Sequence, residues 1–182
     1  VQRLESKAAE LVGMPVGNVE PLQIVSYRDG QHFGVHHDLG PLEEDGSVEL
    51  PPGPRRLVTF FVYLNDLPEG QGATYFPEIG GRKGLRVQPR RGSAVLFANV
   101  QQDGTADPLT VHSGCPVGEG HRKFGMNIWI TDKSQMAHVN SAGGVKLDRA
   151  KLAKANKAKR QRVTTSEEEE GGAGSKKPRK TK

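Results

Sequence analysis

His36 and Asp38 lie one residue apart in the run HFGVHHD at 32–38. The run reads as a β-strand, and side chains at i and i+2 leave a strand on the same face. An imidazole and a carboxylate therefore project together, while His37 projects the other way. A third donor from a distant strand would complete a face of two imidazoles and one carboxylate. His112, in the β-like run LTVHS at 109–113, is the natural candidate. Such a face suits Fe(II), needs no thiolate and leaves positions open for a cosubstrate and O2. Each residue also has an ordinary role. His36 reads equally as a half-buried histidine bonded to a backbone carbonyl, and Asp38 as a strand-ending cap before Gly40. Arg122, just before the run KFGMNIWIT, and Lys123, its first residue, add weight to the metal reading. A ketoacid that chelates iron through one carboxylate and its ketone has a second carboxylate to neutralise at its far end. A cation on a neighbouring strand does that, as a point charge if Lys or as a fork if Arg. The two point to opposite faces, so one of them enters the pocket.

Several elements must position these groups. Residues 2–12 place Leu4, Ala8, Leu11 and Val12 on one stripe of a short amphipathic helix that stops at Gly13. From Pro21 the pattern becomes short β-rich runs at 22–27, 32–38, 56–66, 73–76, 85–88, 93–99, 109–113 and 123–131. Turn signals separate them, among them Asp29-Gly30, Gly80-Gly81 and Asp103-Gly104. So many short strands with no alternating helices predict a mainly β sandwich, jelly roll or barrel. The acidic, Pro-rich segment 39–55 reads as either a functional lid or a tolerated surface insertion.

The chain has 182 residues and a formal charge of +5, unevenly spread. Residues 1–135 carry 13 Lys/Arg against 16 Asp/Glu, a net of −3. Residues 136–182 carry 13 against 5, a net of +8, so the basic character belongs to the last quarter. These two segments are the expected domains: a folded 1–135 and a basic, low-complexity tail at 136–182. In the tail, 145–163 reads as a solvated Lys-rich helix and 164–182 as disordered. No stretch approaches ~18 uninterrupted apolar residues, so no transmembrane helix is expected. No signal peptide is visible, although the chain opens on Val1 rather than Met and so excludes little. A single cysteine, Cys115, rules out an internal disulfide and a Cys-based zinc site.

Four stretches carry a family resemblance: LQIVSYRDGQHFGVHHD, RLVTFFVYLNDLPEGQGATYFP, GLRVQPRRGSAVLF and DPLTVHSGCPVGEGHRKFGMNIWI. Together they resemble the catalytic domain of the prolyl 4-hydroxylases of the collagen α-subunit type, which are Fe(II)- and 2-oxoglutarate-dependent dioxygenases. The resemblance covers roughly residues 1–132. It implies a double-stranded β-helix (jelly roll) with a supporting N-terminal helix. It implies His36, Asp38 and His112 as metal ligands, with Tyr27, Tyr63 and Thr74 lining the 2-oxoglutarate pocket. Counting from the second histidine selects Arg122 as the basic residue for the 2-oxoglutarate carboxylate, whereas counting back from Trp129 selects Lys123. We take Lys123, because Lys123, Gly125, Asn127 and Trp129 then share one strand face. One departure is that Phe97 is followed by Ala98-Asn99, where relatives often carry an aromatic residue near the substrate groove. Cys115 matches a family cysteine and is read as structural.

The resemblance implies hydroxylation of peptidyl proline to 4-hydroxyproline, with O2 consumed, succinate and CO2 released, and L-ascorbate as a rescuing reductant. No protein acid or base is then required. The implied substrate is a Pro-rich segment in the polyproline-II conformation. Segment 39–55 and the turn after Tyr63-Leu64-Asn65-Asp66 are candidates to close over it. Two other readings stand beside this one: the same chemistry on another side chain or a small molecule, and a cupin-like binding module without iron. The tail adds Lys176-Lys177-Pro178-Arg179-Lys180, which reads as a patch for a nuclear import factor or nucleic acid, and Thr164-Thr165-Ser166 as phosphorylation candidates. Family resemblance points to the endoplasmic reticulum, the basic cluster to the nucleus.

Overall fold

The computed structural model describes residues 1–50 and 52–135. The expected tail helix at 145–163, the low-complexity 164–182, the Lys176–Lys180 cluster and the Thr164–Ser166 sites lie outside the described residues. Among the described residues no helix is long and apolar enough to cross a membrane.

Helix α1 spans Gln2–Leu11. Eight strands follow among the described residues: β1 Gln23–Tyr27, β2 Phe33–His36, β3 Arg56–Tyr63, β4 Thr74–Phe76, β5 Leu85–Val87, β6 Ala94–Ala98, β7 His112–Gly114 and β8 Lys123–Thr131. They form two antiparallel four-stranded sheets, ordered β1-β8-β3-β6 and β2-β7-β4-β5. This is the expected mainly β, jelly-roll architecture with its N-terminal helix.

The larger sheet sorts its residues by alternation. On β8, Phe124, Met126, Ile128 and Ile130 face one way, and Lys123, Gly125, Asn127 and Trp129 the other. On β3, Val58, Phe60 and Val62 join the first set, while Thr59, Phe61 and Tyr63 join the second. The first face forms an apolar cluster with Ala8 and Ala9 of α1. The helix differs here from the expected stripe. Ala8 and Ala9 are buried, whereas Leu4 and Leu11 stay 48% and 63% exposed. The helix lies on the sheet through its small residues, with the half-buried Val12 beside them. It ends at Gly13, whose φ of +66° suits glycine.

Three further expectations are corrected. Strand β2 stops at His36, so His37 and Asp38 lie beyond the pairing with β7. The run 109–113 is not one strand: a 3-10 turn covers Pro108–Thr110, Asp107 caps it through Leu109 N, and β7 begins only at His112. Segment 39–55 is not an open loop throughout. Leu42 bridges Val48, and Glu49 N donates to Pro41 O at 2.9 Å, which makes a small hairpin around Gly46.

Candidate metal and cosubstrate site

His36 and His112 are directly paired residues on neighbouring strands. A bulge between Phe33 and His36 sets this register: Phe33 pairs with Gly114 and His36 with His112, so β2 spends one residue more than β7 over the same span. The two imidazole centroids lie 4.2 Å apart. Asp38 completes the group, and one ligand atom from each of His36, Asp38 and His112 lies within 4.8 Å of the others.

The hydrogen bonds fix which atoms face inward. His36 Nδ1 meets Gly34 O at 2.9 Å, and His112 Nδ1 meets Thr110 O at 2.8 Å. A carbonyl oxygen only accepts, so both Nδ1 atoms carry a proton, and in the neutral tautomer each Nε2 presents a lone pair. Asp38 Oδ2 accepts from Thr59 Oγ1 at 2.8 Å and from Trp129 Nε1 at 3.1 Å, which commits that oxygen. Oδ1 stays open and faces His36 Nε2 at 3.4 Å. Two imidazole Nε2 atoms and one carboxylate oxygen thus converge, a donor set that fits a single cation.

Protonation supports the same fit. Burial pushes the His112 pKa down to about 4, helped by the neighbouring His36, so its imidazole is neutral at pH 7. Burial also opposes the charge on Asp38. The His36 contact, His112 and the Thr59 hydroxyl outweigh it and hold the carboxyl well below the usual carboxylate range. Phe76 and Phe97 pack against His112 at centroid distances of 5.4 and 5.0 Å, giving the site an apolar wall. Phe33 stands edge-on to His36 at 4.3 Å and is 46% exposed, at the open side.

At the start of β8 the structure separates the two candidate cations. Arg122 is exposed and its guanidinium lies over Phe124. Lys123 is only 3% exposed. Its Nζ is ringed by Phe61, Tyr63 and Tyr27 at 4.9, 5.6 and 5.8 Å from their centroids. No carboxylate pairs with it among the described residues, and burial pushes its pKa down to about 8. An unpaired interior ammonium in an aromatic collar is a receptor for an anion. Tyr63 is fully buried and its hydroxyl donates to Thr74 Oγ1 at 2.7 Å, with burial pushing its pKa up to about 12. Tyr27, opposite Lys123 in the β1–β8 register, is also raised by burial. Lys123, Tyr27, Tyr63 and Thr74 are therefore brought together in one group. Half-buried Cys115 accepts from Arg86 Nη1 at 2.9 Å.

Sequence reading missed the groups that hold Asp38. Nothing in the motif spacing points to Thr59, and strand alternation gives Trp129 its face but not its partner. Asn99, fully buried, donates from Nδ2 to Thr59 Oγ1 at 2.9 Å and to Arg56 O at 3.0 Å. Its own Oδ1 has no partner among the described residues. The inward alternation of Thr59 and Trp129 is a usable signal, whereas the departure at Asn99 does not reveal its bond to Thr59. The departure at 98–99 thus divides: Ala98 is exposed, and Asn99 braces the Asp38 carboxylate through Thr59.

The family model for the 2OG-Fe(II) oxygenase superfamily matches residues 22–131. Probable prolyl 4-hydroxylase 6 of Arabidopsis thaliana is 35% identical over 161 residues, covering 81% of this chain and 51% of that protein. Prolyl 4-hydroxylase subunit alpha-1 of Gallus gallus is 35% identical over 136 residues, covering 74% of this chain and 25% of that one. The chain therefore spans about half the length of the plant relative and a quarter of the chicken subunit. Among solved structures, the viral collagen prolyl hydroxylase of Paramecium bursaria Chlorella virus-1, as its 2OG complex, matches with a TM-score of 0.59 at 27% identity. That match covers 74% of this chain and 73% of the viral one.

Proposed function

This chain belongs to the 2OG-Fe(II) oxygenase superfamily, and we propose that it hydroxylates peptidyl proline to 4-hydroxyproline. The observation that carries the proposal is the convergence of His36 Nε2, Asp38 Oδ1 and His112 Nε2. In this reading those three atoms hold Fe(II), and the ion when bound activates O2 at its open positions. Lys123 takes the far carboxylate of 2-oxoglutarate as a buried ion pair, which replaces its aromatic collar with a true counter-ion. Tyr63 and Thr74 fix that end of the pocket through their own hydrogen bond. Phe76 and Phe97 exclude water beside His112. Exposed Phe33 offers an apolar edge against which a proline ring can rest. The balance is one O2 and one 2-oxoglutarate consumed per hydroxyl. The proline C4–H bond breaks and a C4–OH forms, while 2-oxoglutarate loses CO2 and gains the second oxygen as succinate. L-ascorbate is the proposed reductant for turnovers that stall without product.

A proline-rich peptide substrate is favoured by the names of the relatives and of the viral structure. The test incubates the full chain with Fe(II), 2-oxoglutarate, ascorbate and either poly-proline or hydroxyproline-rich-glycoprotein peptides. Succinate release matched by the gain of one oxygen atom on proline is expected. Succinate release that no proline peptide stimulates would sink the proline assignment and leave the oxygenase intact. The endoplasmic reticulum is the proposed compartment and the nucleus the competing one. Imaging of tagged full-length and tail-deleted chains separates them.

A further inference from the structure

We propose that His37 is a positioning residue whose ring straps the His36–Asp38 segment to the turn carrying His112, and so sets the spacing of the metal-facing atoms. The proposal rests on the iron-site reading above. His37 lies just past the end of β2 and is 4% exposed. Its Nδ1 accepts from Leu39 N at 3.1 Å, so the ring proton sits on Nε2. Nε2 then reaches Asp107 O at 3.1 Å and Thr110 Oγ1 at 3.0 Å. Thr110 spends its own hydroxyl proton on Asp107 O at 2.9 Å, so it can only accept from His37. The carbonyl of that same Thr110 orients His112 through Nδ1. A continuous path therefore runs from the ring between the first two ligands to the third.

The strap sits where, among the described residues, no backbone hydrogen bond joins the two segments. Strand β2 is an edge strand, it is bulged, and its pairing with β7 ends at His36. Asp38 thus lies beyond the ladder, and the opposing segment is a 3-10 turn rather than a strand. Metal ligands must hold their geometry to within about 0.5 Å. A side-chain bridge is what remains to set the separation of the two segments.

The test uses the full chain, with Co(II) alone as a spectroscopic probe. His36→Ala is the control for the site itself. His37→Phe fills the space without the bridge, and we expect it to weaken Co(II) binding roughly 10- to 100-fold and to change the visible spectrum. Its thermal midpoint should fall by only about a few degrees: the buried Leu39 N loses its acceptor, whereas Asp107 O keeps Thr110 N at 3.0 Å and Thr110 Oγ1 as donors. His37→Gln, which places an amide N–H near the position of Nε2, should recover most of the affinity. Thr110→Val, which keeps the carbonyl but removes the acceptor, should show a smaller loss than His37→Phe. Wild-type affinity and spectrum in His37→Phe, or no recovery in His37→Gln, overturns the strap. If His37→Phe does not fold, wild-type affinity in Thr110→Val overturns it instead. If the wild type binds no Co(II), or His36→Ala binds it equally well, the iron-site reading fails and the strap with it. That outcome is distinct from failure of the strap alone.

Discussion

Lys123→Met should improve the fold and ruin cosubstrate binding, two effects of opposite sign from one atom. The ammonium is 3% exposed with no carboxylate partner, and its pKa falls from 10.5 to about 8. Below pH 8 both the folded and the unfolded chain hold the proton, so the burial penalty is fully present. Between pH 8 and 10.5 only the unfolded chain binds it, so this group makes stability rise with pH, and above 10.5 its penalty is gone. At about 1.36 kcal/mol per pKa unit the penalty at neutral pH is about 3 kcal/mol as an upper bound. Methionine keeps an unbranched stem of similar length without the charge. A gain of about 1–3 kcal/mol is expected, several degrees in the midpoint of a chain this size. In the other direction, removing one partner of a buried ion pair costs about 2–5 kcal/mol, a loss of roughly 30-fold to several thousandfold in 2-oxoglutarate affinity. The assays are thermal unfolding without cosubstrate at pH 7 and at pH 10, and 2-oxoglutarate titration followed by succinate release. The stability gain should be smaller at pH 10 than at pH 7. A variant that is less stable than wild type shows that the ammonium has an unrecognised partner. A variant that binds 2-oxoglutarate within threefold of wild type refutes the ion pair.

Thr59→Val and Trp129→Phe each remove one of the two donors to Asp38 Oδ2, and each should lower metal affinity about 10- to 100-fold in a Co(II) titration. Unchanged affinity in both would show that these donors do not orient the carboxylate. Gly72→Ala should destabilise by more than about 1 kcal/mol in a denaturant melt, since φ is +58° and a Cβ would stand 2.5 Å from Leu67 Cδ1 and 3.3 Å from Lys123 Cδ. It should also raise the KM for 2-oxoglutarate by displacing the lysine stem. Tyr63→Phe should cost about 1 kcal/mol by leaving Thr74 without its donor, with a milder KM effect than Lys123→Met.

The alternation of KFGMNIWIT placed β8 at its true ends and put Lys123 and Trp129 on the inward face, because an antiparallel strand with two covered faces writes its period into the sequence. The same logic placed β3 and β6 to within a few residues. It failed at 109–113 and at 37–38, where the chain leaves the ladder and side-chain hydrogen bonds decide the backbone path. It failed also for α1, whose large apolar residues stay outside because two alanines make the closer approach.

Residue types and their order were sufficient to nominate His36, Asp38 and His112, since few chemistries need two imidazoles and a carboxylate with a cation downstream. They could not settle how those groups meet. The bulge in β2 puts His36 opposite His112 and sets a register between strands far apart in sequence. The burial of Lys123 beside an exposed Arg122 depends on how the start of β8 packs against Phe61 and Tyr63. The orientation of Asp38 comes from Thr59, Trp129 and, through Thr59, Asn99, which touch only in the folded chain. Local periodicity reports which face a residue takes. Contacts between distant segments depend on register and hydrogen bonding across the two sheets, and these exist only once the sheets have formed.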